Sequence, residues 1–337
     1  DYTSGYQYLD STILGFSQTR ASGTGINEFG DILLQPFIQT NNEHSYAQQY
    51  FKHTEKAVPG YYTVELANKV QVELTCTERV AFHKYSYPAT TAGLLVDFGH
   101  GLRFLTDSLV LASEVVLENN RFLKGYCKTK NWVERTYFFV VEFNEPFTRY
   151  EVLPPAKKDK APRYLLHFAL KQKELSVKVA LSTVSVQGAE KNMRVECPHW
   201  NFNAIRQKAD KAWNDYLSRI EIEAPLNDKQ VFYSALYRLL LQPSNIADVD
   251  GRYRGADDLV HQSTSKSGAY YSTLSLWDTY RAAHPLYTII VPERVNDFVA
   301  TLLQHSRQVG FLPIWTAWVS GGLIQLMPCI KWYNLQL

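Results

Sequence analysis

The sequence is 337 residues long and lacks the features that mark several classes of protein. No stretch approaches the roughly 20 uninterrupted apolar residues of a membrane-spanning helix, so no membrane span is expected. Basic and acidic residues nearly balance, 35 against 33, for a net charge of +2. This balance gives no electrostatic reason to expect a nucleic acid or an anionic membrane as a partner.

Cysteine is scarce and scattered. The four cysteines are Cys76, Cys127, Cys197 and Cys329, and none belongs to a C-x-x-C pair or has metal-ligand spacing. The spacing excludes the common cysteine-based metal sites. It favours unpaired, buried thiols, and a single disulfide is the open alternative.

Common catalytic signatures are absent as well. The sequence has no G-x-S-x-G nucleophile elbow and no H-E-x-x-H zinc motif. An EF-hand frame ending at Asp257 would put Ile246 where the first carboxylate of a calcium loop must stand, which excludes that loop. Carboxylates gather at Asp248, Asp250, Asp257, Asp258 and Asp278. Their spacing does not identify the acid and the base that glycoside hydrolysis needs.

The sequence is rich in aromatic residues, which make up 14% of it, and its first part is patterned as strands. Short segments at 61–66, 70–77, 93–98, 135–143, 164–170 and 175–185 are apolar or alternating, and turn residues bound most of them. No helical pattern separates these segments. They predict an N-terminal antiparallel β-sandwich domain over residues 1–200.

Helical periodicity begins near Asn203. Ile205, Trp213 and Leu217 fall on one face of a helix that is expected to run to about Arg219. Residues 201–226 are therefore interpreted as a helical linker. The change of period, from 2 to 3.6, separates this linker from the strands before it.

Further helices are predicted over residues 227–337. Asp228 is expected to cap one helix, which Pro243 ends. A hairpin turned at Asp250-Gly251 follows. Pro292 at the first position and Gly310 at the end predict another helix. Successive helices of this kind suggest the opening of a barrel of paired α-helices.

The most informative stretch runs from Gly268 to Pro285, GAYYSTLSLWDTYRAAHP. Ser275 is a candidate N-cap for a short helix over 276–283, which His284-Pro285 is expected to end or kink. Trp277 offers an apolar face for sugar C–H groups, and Asp278 can accept hydrogen bonds from two hydroxyls. The alternative is that Trp277 is a core aromatic and Asp278 merely favours the positive end of the helix dipole.

Several of these motifs together resemble glycoside hydrolase family 92, the calcium-dependent exo-α-mannosidases. The matching segments are GYQYLDSTILGFSQTRASGTG, FGDILLQP, DVDGRYRGADDLVH, YYSTLSLWDTYRAAHPLYTIIVPERV and GFLPIW. The resemblance implies an N-terminal β-sandwich, a helical linker and the start of an (α/α)6 barrel. It also implies inverting, calcium-assisted hydrolysis of terminal α-mannosides, often α-1,2-linked, in mannan or N-glycan oligosaccharides. Trp277 and Asp278 would then line the pocket for the terminal mannose.

The chain also departs from the family pattern. Gln18 and Arg20 replace two histidines of the motif G-F-S-H-T-H-L-S-G-T-G, and the tail from Thr316 matches nothing in the family. The family's catalytic acid, its base and most of its calcium ligands belong to segments that have no counterpart here. The chain is therefore expected to be an internal fragment without catalytic residues or identifiable metal ligands, and inactive alone. The resemblance implies an extracytoplasmic location. The alternative function is a catalytically dead carbohydrate-binding or scaffold protein.

Overall fold

A computed structural model describes residues 5–20, 27–38, 46–102, 109–131, 133–155, 160–313 and 315–316. The predicted Ser22–Gly25 loop and most of the tail lie outside these ranges. The strands of the first part are β1 (Thr12–Ile13), β2 (Leu33–Phe37), β3 (Gln48–Gln49), β4 (Lys56–Val58), β5 (Tyr61–Glu65), β6 (Gln71–Cys76), β7 (Val80–Ser86), β8 (Thr91–Asp97), β9 (Val110–Glu118), β10 (Phe122–Lys130), β11 (Glu134–Phe143), β12 (Phe147–Leu153), β13 (Arg163–Ala169) and β14 (Glu174–Ser182).

Two antiparallel sheets dominate this part of the described chain. The larger has eight strands in the order β4-β5-β6-β7-β14-β11-β10-β9, and the smaller has four in the order β12-β13-β8-β2. Tyr62, Leu74 and Phe139 from the large sheet share one buried cluster with Leu94 and Leu166 from the small sheet. The apolar side of each alternating strand therefore contributes to a common core.

The elements after β14 are mainly helical. They are α1 (Val186–Glu196), α2 (Phe202–Leu217), α3 (Leu226–Leu240), β15 (Ser244–Asn245), β16 (Arg252–Arg254), β17 (Val260–Gln262), β18 (Tyr271–Ser272), α4 (Leu276–Thr279), α5 (Ala283–Ile290) and α6 (Pro292–Val309). The chain is thus a β-rich domain with large sheets followed by helices. None of the described helices has the length and hydropathy that crossing a membrane requires.

Helix α1 corrects the expectation that residues up to about 200 contain only strands. It lies on the outer face of the large sheet, where Ala189 and Met193 pack with Phe82 and Val140 in a second buried cluster. The side chain of Ser185 caps the helix by accepting a hydrogen bond from the Gly188 N–H. Most residues of this segment, such as Ala189, Lys191 and Arg194, have high intrinsic helix propensity, and packing against the sheet adds to it.

Helices α2 and α3 form as expected, but the prediction that Asp228 caps α3 is wrong. Helix α2 begins after Asn201, whose side chain accepts from the Ala204 N–H. Pro225 occupies the N-cap position of α3 and makes no side-chain cap, whereas Asp228 lies inside the first turn. There the carboxylate favours the positive end of the helix dipole instead of accepting a capping hydrogen bond.

Two predictions around α5 and α6 have opposite outcomes. Pro292 lies in the first turn of α6, and Gly310 follows it in the left-handed region with φ of +87°, so both predicted boundaries are confirmed. By contrast, His284-Pro285 lies in the first turn of α5 and does not end a helix. Proline is tolerated there because the first N–H groups of a helix have no partner within it.

The predicted hairpin is present, but its loop lies at residues 255–259 and not at Asp250-Gly251. Gly251 donates its N–H to the Asp248 carbonyl, and Asp248 donates to the Arg252 carbonyl, so Asp250-Gly251 does form a tight turn. The paired strands, however, are β16 and β17, which flank residues 255–259. The three cysteines within the described ranges form no disulfide with one another; Cys127 and Cys197 are buried and Cys76 is half-buried.

Candidate functional site

Trp277 and Asp278 lie together on α4, a single helical turn at the surface of the helical part. The Trp277 side chain is 63% exposed, and its ring centroid lies 6.0 Å from that of Trp315. Asp278 is exposed beside it. Within the described residues, Trp277 is therefore outside the buried core.

The start of α4 presents the Asp278 carboxylate. Ser275 occupies the expected N-cap position but makes no side-chain hydrogen bond to the helix backbone. Its hydroxyl donates instead to the Asp278 carboxylate. The Ser275 carbonyl accepts from the Asp278 and Thr279 N–H groups, each at 3.2 Å, and from the Thr279 hydroxyl at 2.8 Å. Side chain and backbone together fix the orientation of the acid.

A short backbone pairing places the second tryptophan. The Leu274 N–H donates to the Thr316 hydroxyl and the Thr316 N–H donates to the Leu274 carbonyl, both at 3.0 Å. Ser275 and Trp315 form the adjacent β-bridge. Leu274 itself belongs to the buried core of the helices, so this pairing ties the site to a rigid base. Sequence reasoning did not select Trp315, although it closes the GFLPIW motif.

The arrangement suits a pyranose ring. Indole faces stack on sugar C–H groups, and an exposed carboxylate already held by a serine can accept hydroxyl donors. The two indoles are inclined by 46°, which leaves an apolar wedge beside the acid. The chemistry of these groups fits sugar binding, and no described side chain beside them supplies the second carboxylate that acid and base catalysis needs.

The other four aspartates of the sequence cluster are engaged elsewhere. Asp250 pairs with Lys191 and Arg252, Asp257 with His261, and Asp258 with Arg254. Asp248 is buried and accepts hydrogen bonds from Ser182 at 2.7 Å and Asn192 at 2.8 Å. Burial raises the pKa of Asp248 to about 6, against the hydrogen bonds from Asn192 and Ser182, which lower it. None of these contacts joins another carboxylate to Asp278.

The described residues offer no cluster of acidic or other metal-ligating side chains for the calcium ion that the family resemblance implies. Within the described ranges, no three His, Cys, Asp or Glu side chains converge as a metal site would require. Calcium takes six to eight oxygen ligands, several of them carboxylates. The described residues therefore do not fit the ion by themselves, and no catalytic step is derived through it.

Gln18 and Arg20, which replace the family's histidines, are buried structural groups. The Gln18 amide donates to the Phe16 carbonyl at 3.0 Å and to the Ile32 carbonyl at 3.2 Å, and its oxygen contacts His83 Nε2 at 3.1 Å. Arg20 donates to the Thr19 carbonyl at 2.9 Å. These contacts hold residues 16–20 against the core.

The same segment is clamped to β11 by Arg135. The side chain of Arg135 is fully buried and donates to Glu28 Oε1 at 2.6 Å and to both Asp31 carboxylate oxygens at 2.8 Å. Asp31 also accepts from the Thr19 hydroxyl at 2.5 Å. The network holds Thr19, Glu28 and Asp31 against β11.

A β-rich domain followed by helices, with an exposed and a half-buried indole near a carboxylate, is typical of carbohydrate-active proteins. Comparison with protein families makes this specific. The glycosyl hydrolase family 92 N-terminal domain matches residues 1–182, and the family's catalytic domain matches residues 188–326. The chain belongs to glycosyl hydrolase family 92.

Individual relatives agree. A family 92 α-mannosidase from Bacteroides thetaiotaomicron has a similar structure, with a TM-score of 0.85 and 30% identity over 95% of this chain and 46% of that one. A family 92 inverting mannosidase from the same organism gives 0.81 and 27% over 94% and 44%. An uncharacterized secreted glycosidase from Arthroderma benhamiae is 25% identical over 82% of this chain and 40% of its own length. The chain thus spans less than half the length of these relatives.

Proposed function

We propose that this chain forms part of an exo-α-mannosidase, which removes terminal α-linked mannose with inversion and prefers α-1,2 linkages. Membership of glycosyl hydrolase family 92 carries the proposal. Two structural relatives are named as mannosidases, one of them inverting, and the first was also solved in complex with mannoimidazole. The substrate class is therefore a mannose-containing oligosaccharide.

Trp277 and Asp278 are assigned to the terminal mannose, and Trp315 joins them. The exposed carboxylate would hold sugar hydroxyls and the two indoles would bracket the ring. No catalytic role is assigned to Asp278, because no described side chain supplies the opposing carboxylate. This chain alone is accordingly proposed to bind mannosides and to leave them unhydrolysed.

The architecture proposed for the whole protein follows the family. Residues 1–200 would form a β-sandwich, 201–226 the helical linker and 227–337 the start of an (α/α)6 barrel. Large apolar side chains stand exposed on the helices at Val231, Ile289 and Leu303. These are the residues that further barrel helices would cover, whereas Phe298 and Leu302 on α6 already pack in the helical core.

Calcium and location complete the proposal. The ion would assist hydrolysis with ligands drawn mainly from outside the described residues, since these offer no cluster for it. An extracytoplasmic site of action is proposed because the curated relative is described as a secreted glycosidase. A secreted enzyme meets mannan or N-glycan chains directly.

The test is mannose release from α-1,2-mannobiose, with calcium and with a chelator, beside a full-length family 92 mannosidase. We expect this chain to release no mannose under either condition but to bind the disaccharide. Asp278→Asn should weaken that binding about tenfold or more, as loss of a hydrogen bond to a charged group does. Trp277→Ala should also weaken it, because it removes the aromatic face on which the sugar stacks. Release of mannose by the chain alone would refute its proposed inactivity. If the chelator left the rate of mannose release by the reference enzyme unchanged, calcium assistance would be refuted.

A further inference from the structure

A separate cavity of about 450 Å³ lies where the β-rich part, α2 and the later helices meet. Thr77 and Glu78, between β6 and β7, form one wall, and α2 forms another with Trp213. Tyr237 from α3 and Arg294 from α6 lie among the remaining lining groups. Its lining does not include Trp277 or Asp278. The volume lies within the range of roughly 300–1,000 Å³ that small-molecule sites occupy.

Glu78 brings an accessible carboxylate to this cavity. Its side chain is 50% exposed, yet it accepts from Asn245 Nδ2 at 2.9 Å and pairs with Arg79 at 3.0 Å. Desolvation opposes ionisation of this carboxylate, but Arg79, Asn245 and Arg294 outweigh it and lower its pKa. The group is therefore a charged acceptor that is held in place from one side and open on the other.

Arg294 brings a guanidinium that is only partly used. Its Nε and Nη2 groups donate to the Tyr216 hydroxyl at 3.2 and 3.0 Å, and Nη1 donates to the Tyr271 hydroxyl at 3.1 Å. A guanidinium has five N–H donors. Two of them thus remain without an acceptor among the described residues. No described carboxylate lies within ion-pair distance of Arg294.

The aromatic wall supplies the apolar contact. The Trp213 and Tyr237 rings have centroids 4.6 Å apart, so the indole is braced on α3. Tyr287 and Phe298 lie 5.6 Å apart on the α5–α6 side. Both pairs border the cavity. A ring-shaped ligand could lie against aromatic faces whose own positions are fixed by packing.

The polar and apolar groups together select the ligand class. A wholly apolar ligand would remove water from the open side of Glu78 and from the two unused N–H groups of Arg294 without replacing its hydrogen bonds, which is unfavourable. A small anion would meet the Glu78 carboxylate. A neutral polyol can donate to Glu78, accept from Arg294 and place C–H groups on the aromatic rings. We propose that this cavity is a second carbohydrate-binding site, which takes a single neutral pyranose between the β-rich part and the helices.

The experiment titrates methyl α-D-mannopyranoside into the Trp277→Ala/Asp278→Asn chain and follows binding by saturation-transfer difference NMR. The choice of a mannoside rests on the proposed function. Glucose and galactose are titrated as well, because binding of these neutral pyranoses would test the cavity independently of that function. Ala212→Trp fills the cavity mouth without removing any packed side chain. Lys211→Trp is the matched control, because Lys211 is exposed and outside the lining.

We expect the double variant to bind a pyranose, Ala212→Trp to weaken that binding at least tenfold, and Lys211→Trp to leave it unchanged. Glu78→Gln, which keeps the size of the side chain, should weaken it severalfold with an unchanged circular dichroism spectrum. If the chain binds mannoside and the double variant does not, the cavity proposal is overturned while the Trp277 site stands. Binding that Ala212→Trp leaves intact would also overturn it.

Discussion

Substitution of Arg135 tests how much its ion pairs with Glu28 and Asp31 contribute to the stability of the fold. Arg135→Met keeps an apolar stem of similar length and deletes the charge. The side chains of Arg135 and Asp31 are fully buried and that of Glu28 nearly so, so both carboxylates would stay inside the protein after losing this guanidinium. Breaking a buried pair from one side costs about 3–5 kcal/mol, because the remaining charge is desolvated without compensation. We expect a loss of that size in the free energy of unfolding.

Urea unfolding followed by far-ultraviolet circular dichroism measures this loss. The matched control is Lys211→Ala, which breaks the ion pair of Lys211 with Asp215, where the side chains are 75% and 56% exposed. Such surface pairs contribute about 0.3–0.5 kcal/mol. The triple variant Glu28→Gln/Asp31→Asn/Arg135→Met removes all three charges and should recover most of the loss. If Arg135→Met cost no more than Lys211→Ala, the claim that this network clamps the segment would be wrong.

Three further predictions concern backbone and burial. Gly188→Ala should lower the free energy of unfolding by about 1–3 kcal/mol, since its Cβ would lie 2.3 Å from Asp248 Oδ2 and 2.6 Å from Ser182 Oγ; a thermal midpoint equal to the parent's would contradict this. In Gly310→Ala the new Cβ would meet no atom within 4 Å, but φ of +87° is strained for alanine. We therefore expect the free energy of unfolding, measured with urea, to fall by about 1 kcal/mol. An unchanged free energy would refute the argument from strain. The pKa of Asp248 is raised from 3.8 to about 6, so the folded state binds the extra proton and stability should fall as pH rises from about 4 to about 6. Asp248→Asn should flatten that slope, and an unchanged slope would assign it to other groups.

The strands with strong apolar patterns were predictable from the sequence, and those with outward charges were not. β6 and β14 are confirmed because Val72, Leu74, Val177 and Val179 are buried, as their spacing requires. β9 and β10 were missed. In β10 buried residues alternate with half-buried ones, and lysines such as Lys124 occupy the outward positions. The buried positions of β10 include Gly125 and Thr129, which are not strongly apolar, so its alternating hydrophobic signal is weak.

The site was predictable in part for a related reason. Trp277 and Asp278 are adjacent in sequence, and one helical turn presents both. Trp315 joins them only through the pairing of residues 274–275 with 315–316. The sequence separation of that pairing is about forty residues, and no local periodicity encodes it. Helix α1 was missed although its residues favour a helix, because the whole stretch up to residue 200 was interpreted as strands.

The buried Asp248 carboxylate limits how family 92 proteins can be recombined. Asp248 and one of its donors, Asn192, lie in the part matched to the catalytic domain, yet its other donor, Ser182, ends the last strand of the N-terminal part. Arg79 likewise donates to the backbone of Ala247, and the side chain of Arg254 donates to the Thr183 carbonyl. A hybrid that joins the sheets of one relative to the helices of another would keep the Asn192 hydrogen bond and would need a donor in place of Ser182. Exchange of these parts between relatives should therefore give a stable protein only when both members of each hydrogen-bonded pair come from the same relative.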